Sequence, residues 1–296
     1  MSNGKDAAQV AAATAMLAQA ARPGCIDLGK AREALAMGAN PDAPLPDGMW
    51  LIGGERPNPL QAAFRRGDQE LGLMLMEAGA KLDGYDGNGK PTVFWLSGAG
   101  DELKRAWIAC GGDPWRMFEP QVAAGRFAGE RKSLALISCR GGGAELWSAI
   151  ASAFHHGVDL CERGRMDSFN SAGDCSVMAE AIEWGNVVAI EALFNLGYQR
   201  EEADMARIAK KLAAAASMPR HYGKKAERMA SVFFKFGAAP PLVESYRDFT
   251  SIVGAEAVEA AKDWMANEFL IAEKKALSKA MRARGTKRPL GGRGRL

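Results

Sequence analysis

Hydrophobic and polar positions follow a helical period through residues 58–83, NPLQAAFRRGDQELGLMLMEAGAKLD. Apolar side chains recur three and four residues apart at Leu60, Ala63 and Phe64, and again at Leu71, Met74, Leu75 and Ala78. This spacing predicts two short amphipathic helices. Pro59 suits the first turn of the first helix, and Gly67-Asp68 predicts a tight turn in which Asp68 caps the second. Gly79 is expected to end the second helix in the left-handed conformation, because glycine has no Cβ to clash there.

The same order of elements recurs further along the chain. Residues 92–115 have Gly100-Asp101 at the expected turn, and residues 176–198 have Gly185-Asn186 there. Glycines expected to end helices recur at intervals of 32–46 residues, at Gly38, Gly79, Gly111, Gly157, Gly197 and Gly237. A single helical hairpin cannot bury its apolar face alone, so a period of this size predicts a stacked solenoid of hairpins.

Residues at the start and end of these units resemble the ankyrin repeat. Asn58-Pro59-Leu60-Gln61-Ala62-Ala63 followed by Gly67-Asp68 is similar to the opening of that repeat, "TPLHLAA…G". Its "GADPN" close is similar to Gly38-Ala39-Asn40-Pro41-Asp42, Gly79-Ala80-Lys81-Leu82-Asp83 and Gly111-Gly112-Asp113-Pro114. The resemblance implies an all-α solenoid of about six ankyrin-like units with enlarged loops. Gln61 replaces the family's histidine and most spacings exceed its usual period, so a generic helical-hairpin solenoid is the alternative.

Composition and end segments complete the predicted organisation. Hydrophobic residues make up 48% of the chain and charged residues 25%, which is enough for a core and excludes global disorder. We expect an N-terminal capping helix in residues 1–24, repeats in 25–241, C-terminal capping helices in 242–284 and a disordered basic tail in 285–296. The chain has no run of about 18 apolar residues, so we expect no membrane partner.

The loops after the glycine stops are the predicted partner-binding surface. In ankyrin-like stacks such loops project as fingers and line a concave groove, as the resemblance implies. Aromatic and arginine side chains in exposed loops are the types that anchor protein interfaces. The candidates are Trp50, Tyr85, Trp115, Arg116, Phe118 and Arg163. The alternative for each aromatic residue is that it folds back and fills a gap beneath its own loop.

Candidate catalytic and metal-binding residues are few. His155 and His156 are adjacent, so on a helix their imidazoles would point about 100° apart and could not share one ion. Gly141-Gly142-Gly143 lacks the Gly-Lys-Ser/Thr ending of a phosphate loop and is expected to be a turn between helices. We therefore predict no catalytic site, no metal site and no cofactor. Five dispersed cysteines predict reduced thiols and a cytoplasmic location, in the producing cell or in a host.

Charge is distributed unevenly along the chain. Nine basic residues and no acid occur in residues 274–296: Lys274, Lys275, Lys279, Arg282, Arg284, Lys287, Arg288, Arg293 and Arg295. Such a segment contacts nucleic acid, an acidic protein surface or the chain's own acidic body, or it is simply solvated. The first function hypothesis is a non-catalytic module that binds a partner protein, as an inhibitor or scaffold. The alternative hypothesis is a nucleic-acid-binding adaptor that uses the basic tail.

Overall fold

The computed structural model divides the chain into two compact units, residues 1–199 and residues 200–296. It describes residues 7–22, 24–49, 56–121, 129–166 and 173–199, together with scattered positions between 201 and 236. The fold is mostly α-helical, as the sequence predicts. Within the described residues, no helix is long and apolar enough to cross a membrane.

The described residues of the first unit form five successive helix pairs. These are α1 Ala7–Ala20 with α2 Leu28–Ala36, α3 Pro59–Arg66 with α4 Gln69–Glu77, α5 Thr92–Trp95 and a 3₁₀ helix Leu96–Gly98 with α6 Asp101–Ala109, α7 Leu134–Ser138 with α8 Ala144–Ser152, and α9 Val177–Trp184 with α10 Val187–Asn195. The segment 1–24, predicted as a cap, contains α1, which packs against α2 as the first helix of a pair.

The helices of the first unit stack in two layers. The second helices contact one another in chain order, from α2 through α4, α6 and α8 to α10. The first helices form the other layer, in which α3 contacts α5, the 3₁₀ helix contacts α7, and α7 contacts α9. Trp95, Trp107 and Trp147 are all buried, at most 1% exposed. Large aromatic side chains from successive pairs therefore fill the unit's interior.

The ends of α3 show how local sequence sets these elements. Asn58 caps the helix by accepting a hydrogen bond from Gln61 N at 2.8 Å, while the Gln61 side chain accepts one from Asn58 N. Gly67 follows with φ +71°, the left-handed conformation expected at this turn. Asp68 stands at the N-cap position of α4 but makes no capping hydrogen bond, because its carboxylate binds the Arg66 guanidinium. The predicted cap by Asp68 was therefore wrong.

Gln61 also joins one helix pair to the next. Its Nε2 donates to Thr92 Oγ1 at 3.0 Å, and Thr92 Oγ1 donates to Gly84 O at 2.9 Å. Gln61 and Thr92 are both fully buried. Buried polar groups without partners are costly, so this chain of hydrogen bonds favours one register between the two pairs.

Most of the predicted glycine stops are confirmed. Gly38, Gly79, Gly111 and Gly197 all have positive φ, between +84° and +99°, just after the second helix of a pair. Gly157 was predicted wrongly, because α8 ends at Ser152 and the chain continues through a loop before Gly157 is reached. His155 consequently lies in that loop and not at a helix end. Ala78, predicted on the inner face of α4, is exposed, and Ala80 is buried instead.

A small antiparallel sheet makes the all-α prediction too narrow. β1 Arg163–Met166 pairs with β2 Gly173–Ser176, with Arg163 opposite Ser176 and Arg165 opposite Asp174. Arg-Gly-Arg-Met carries no alternation of apolar residues, which is the pattern that identifies a strand in a sequence. The backbone partners of β1 hold this segment extended.

In the second unit, several described positions are helical. Ile208, Met229 and Val232 are buried, and the buried Asp204 carboxylate lies 3.6 Å from the Arg207 guanidinium. The predicted capping helices in 242–284 and the basic tail in 285–296 lie outside the described residues.

The five cysteines are thiols that differ sharply in accessibility. Cys25 and Cys110 are exposed, whereas Cys139 and Cys175 are buried. Burial, reinforced by the nearby Glu180 carboxylate, raises the pKa of the Cys139 thiol well above its usual value. We expect iodoacetamide at neutral pH to modify Cys25 and Cys110 in the folded protein, and Cys139 only in denaturant. Peptide mass spectrometry of labelled samples measures this order, and rapid labelling of Cys139 in the folded state would contradict the structure.

Candidate functional site

Four loops that join successive helix pairs form one hydrogen-bonded row, which we call the finger ladder. Its described residues are 37–49 and 56–58 in the first loop, 78–91 in the second, 110–121 and 129–133 in the third, and 153–166 and 173–176 in the fourth. Each loop pairs with itself: Leu45 with Pro57, Tyr85 with Pro91, Phe118 with Lys132, and β1 with β2. Each loop also bonds to the next one, since Gly87 N donates to Arg56 O, Gln121 N to Gly89 O, and Arg131 N to Arg165 O. Backbone groups therefore connect all four loops from edge to edge.

The second loop shows why these segments turn back on themselves. Asp86 Oδ1 accepts hydrogen bonds from Asn88 N at 2.8 Å and Lys90 N at 2.9 Å, which is an Asx turn. Gly89 has φ +76°, so glycine suits the tip. Its carbonyl is thereby aimed at Gln121 N, 2.7 Å away. The short sequence Asp-Gly-Asn-Gly-Lys thus sets both the turn and the contact with the third loop.

Lysine side chains cover the aromatic residues beneath the ladder. Lys90 Nζ lies 4.0 Å from the ring centroid of Trp95, and Lys132 Nζ lies 4.9 Å from that of Phe94. Both aromatic rings are buried in the core. These contacts are in the range of cation–π interactions and attach the second and third loops to the first-helix layer.

Trp115 was predicted as an exposed partner anchor, and the structure places it in the core. The side chain is 5% exposed, and its Nε1 donates to Ile150 O at 2.9 Å. Its ring meets Phe154 edge to face with centroids 5.8 Å apart. The alternative interpretation therefore describes Trp115: it folds back and packs against the end of α8 in the following helix pair.

Phe118 is also buried, at 3% exposed, and belongs to the hydrophobic core. Its neighbour Arg116 is exposed and was predicted correctly to lie on the surface. The Arg116 guanidinium lies 3.3 Å from Asp83 Oδ2 in the preceding loop and 4.9 Å from the Phe118 ring centroid. Arg116 therefore connects two neighbouring loops from the solvent side, while Phe118 supports them from below.

The remaining candidates have different surroundings. Tyr85 is half-buried and pairs with Pro91 at the base of the second loop. Arg163 is exposed at the start of β1. Trp50 lies outside the described residues, as do all the basic candidates from Lys274 to Arg295. The ladder thus brings Tyr85, Arg116 and Arg163 into one row of loops and withdraws Trp115 and Phe118 from its surface.

Ion pairs strengthen the third and fourth loops. The Arg131 guanidinium binds Glu119 at 3.1 Å in its own loop and Glu162 at 2.5 Å in the next. Lys132 Nζ lies 2.6 Å from the carboxylate of the buried Glu130. The Lys132–Glu130 pair is largely buried, so salt screens it less than the more exposed pairs of Arg131. The Arg131–Glu162 pair joins the third and fourth loops in addition to their backbone bonds.

Residues with catalytic or metal-binding potential do not converge in the described parts of the chain. Within those parts, no three histidine, cysteine or acidic side chains are arranged to hold a metal ion. His155 Nε2 approaches a single carboxylate, Asp113, at 3.5 Å. Gly141-Gly142-Gly143 is a turn between α7 and α8, as predicted, with Asp101 Oδ2 accepting from Gly143 N at 2.7 Å.

Comparison with models of known protein families gives no match to this chain. Comparison with curated proteins likewise gives no match. The geometry of the finger ladder therefore carries the functional argument.

Sequence patterns identify single loops of this site but do not reveal that neighbouring loops pair with one another. Asp86-Gly87-Asn88-Gly89 is a recognisable hairpin turn, and it identifies the second loop. The hydrogen bonds that join neighbouring loops at Arg56–Gly87, Gly89–Gln121 and Arg131–Arg165 are made by backbone atoms, which leave no side-chain periodicity to detect. Arg131 and Arg165 are part of the site only because these backbone contacts bring them together.

Proposed function

We propose that this protein is a non-catalytic binding module built from divergent ankyrin-like helix pairs. It binds a partner protein through the finger ladder and the adjoining surface of the first helices. Support for the ankyrin-like assignment comes from the left-handed glycines after the second helices, the Asn58 capping box and the two-layer stacking of helix pairs. Gln61 occupies the position of the family's histidine and makes a buried hydrogen bond to the next pair.

The observation that carries the proposal is the edge-to-edge pairing of the four loops. Backbone bonds at Arg56–Gly87, Gly89–Gln121 and Arg131–Arg165 hold the described parts of these loops against one another. Ordering a loop costs about 1–2 kcal/mol of conformational entropy per residue, and folding has already met that cost here. A preordered surface loses less entropy when a partner binds, so it binds more tightly for the same contacts.

The surface of the ladder is polar. Arg116, Glu119 and Arg165 are exposed on it, whereas the aromatic rings of Trp115 and Phe118 are buried. We therefore infer a partner held mainly by charged and hydrogen-bonding contacts, with specificity set by their arrangement. Of the predicted aromatic anchors, Trp115 and Phe118 are buried and therefore not available to such a partner.

Photo-crosslinking tests the proposal on the full-length protein. A photoreactive amino acid replaces Glu119 on the ladder. In a matched control it replaces Glu145, which lies in the first turn of α8, whereas the fourth loop follows the last turn of that helix. Their side chains are 68% and 78% exposed. In nuclease-treated lysate of the cells from which the sequence comes, we expect a discrete crosslinked protein from position 119 and none from position 145.

Two results would reject the proposal. One is equal crosslinking from both positions, which would indicate non-specific contact. The other is the absence of a crosslinked protein from the ladder together with capture of nucleic acid in untreated lysate. The second result would favour the nucleic-acid adaptor that uses the basic tail.

A further inference from the structure

Three arginines lie on one face of the sheet in the finger ladder. Arg163 and Arg165 are alternate residues of β1, so their side chains leave the same face. Arg131 is paired directly with Arg165, with Arg131 N to Arg165 O at 2.9 Å and Arg165 N to Arg131 O at 2.7 Å. Residues in such a pair direct their side chains to the same face. We call these three residues the arginine face.

The opposite face of β1 is packed against the protein. A Cβ at Gly164 would lie 2.5 Å from both Arg131 O and a methyl group of Leu136. No side chain fits there without displacing its neighbours, so β1 is held tightly against the third loop. Arg163 and Arg165 are consequently directed to solvent, and both are exposed.

Arg131 and Arg165 differ in the carboxylates that lie close to their guanidinium groups. Arg131 is neutralised by Glu119 and Glu162. Arg165 has no carboxylate within 4.0 Å in the described part of the chain, although Asp174 stands opposite it in β2. Arg165 stands directly opposite Arg131, whose own charge is already paired, so the Arg165 guanidinium gains no ion pair from this position. An exposed guanidinium with five donors, held on a rigid strand, suits an external anion.

We propose that the arginine face binds an extended acidic segment of the partner protein, with Asp or Glu at alternate positions. This inference rests on the proposed function and names the chemistry of the partner. Alternate residues of β1 are about 6.6 Å apart along the strand, and alternate side chains of an extended peptide have the same spacing. Two carboxylates at positions i and i+2 can therefore meet Arg163 and Arg165 together. Arginine matches carboxylate in bidentate geometry.

Local acidic groups favour a short peptide over a nucleic acid. Glu119, Glu162 and Asp174 surround the arginine face. The first unit as a whole has 24 acidic and 18 basic residues. A continuous polyanion would cross these acidic groups, whereas two carboxylates would meet only the guanidiniums.

Peptide selection followed by binding measurements tests the inference with the full-length protein. A library of random extended peptides is displayed and selected on the immobilised wild-type protein and on Arg165→Ala. We expect acidic residues at i and i+2 to be enriched by the wild type alone. Affinity is then measured by fluorescence anisotropy for one selected peptide and for its Asn/Gln counterpart.

The matched control is Arg105→Ala, which removes the same charge from α6. The Arg105 side chain is 39% exposed and pairs with Glu145 on α8, and neither residue belongs to a loop of the ladder. Arg165→Ala should weaken peptide binding roughly tenfold or more, since a charge-assisted hydrogen bond is lost. Arg165→Lys should recover only part of the affinity, and Arg105→Ala should leave it within about twofold.

Several outcomes would overturn the inference. They are selection of the same peptides by wild type and Arg165→Ala, equal affinity for the acidic peptide and its neutral counterpart, or failure to enrich any acidic peptide. If a single-stranded oligonucleotide of the same charge competes equally well, the ligand of the arginine face is a nucleic acid and not a peptide. In the first three cases the acidic-peptide inference fails, while crosslinking from position 119 still tests independently whether the ladder binds a partner protein.

Discussion

Replacing Trp115 by alanine is expected to lower the free energy of unfolding by about 3–5 kcal/mol. The indole is almost fully buried, contacts Phe154 and donates a hydrogen bond to Ile150 O. Its removal leaves a cavity between the third loop and α8 and an unpaired carbonyl. Urea denaturation followed by far-ultraviolet circular dichroism measures the loss.

Trp115→Phe provides the matched comparison for this variant. Phenylalanine keeps an aromatic ring against Phe154 but cannot donate to Ile150 O, so its loss of stability should be smaller than that of alanine. If Trp115 were instead a surface anchor for the partner, alanine would weaken binding and leave stability unchanged. That result would contradict the position of Trp115 in the core.

Replacing Gly164 by alanine is expected to destabilise the protein by about 1–3 kcal/mol and to disturb the arginine face. The new Cβ would lie 2.5 Å from Arg131 O, a backbone atom that accepts the hydrogen bond from Arg165 N. The third and fourth loops must move apart to relieve this contact. We expect faster hydrogen exchange of the Arg165 amide and weaker binding of acidic peptides.

Gly141→Ala is the control for this substitution. Gly141 lies in the turn between α7 and α8, where an added Cβ meets no atom within 4 Å. Its stability should change by no more than about 0.5 kcal/mol, and its peptide affinity should match the wild type. Equal effects of the two substitutions would show that the close packing of β1 against the third loop is not needed.

Short-range patterns account for the parts of the fold that were predicted correctly. The apolar spacing in residues 58–83 identified α3 and α4, Gly67 lies in the predicted turn between them, and Gly79 has the left-handed conformation predicted for it. Capping, helical periodicity and glycine stops depend on residues within one or two turns of each other, so they can be inferred without the fold. The prediction that Gly157 ends a helix was wrong because α8 already ends at Ser152. Helix boundaries are the feature that local sequence specifies least well.

Side-chain exposure in the loops could not be inferred in the same way. Trp115 and Phe118 have the residue types of an interface, yet both are buried by contacts with segments distant in sequence. Arg116 and Arg163 remain exposed. Whether a loop aromatic faces the core depends on the neighbouring helix pair, which the local sequence does not specify.

The sequence alone is sufficient to predict a mostly helical protein and the helix pair of residues 58–83, because helix formation and termination are local events. The finger ladder and the arginine face exist only in the folded molecule. They arise where backbone groups of Gly89, Arg131 and Arg165 meet partners from other loops. Such long-range backbone contacts depend on how the helix pairs stack, and no side-chain pattern along the chain records them.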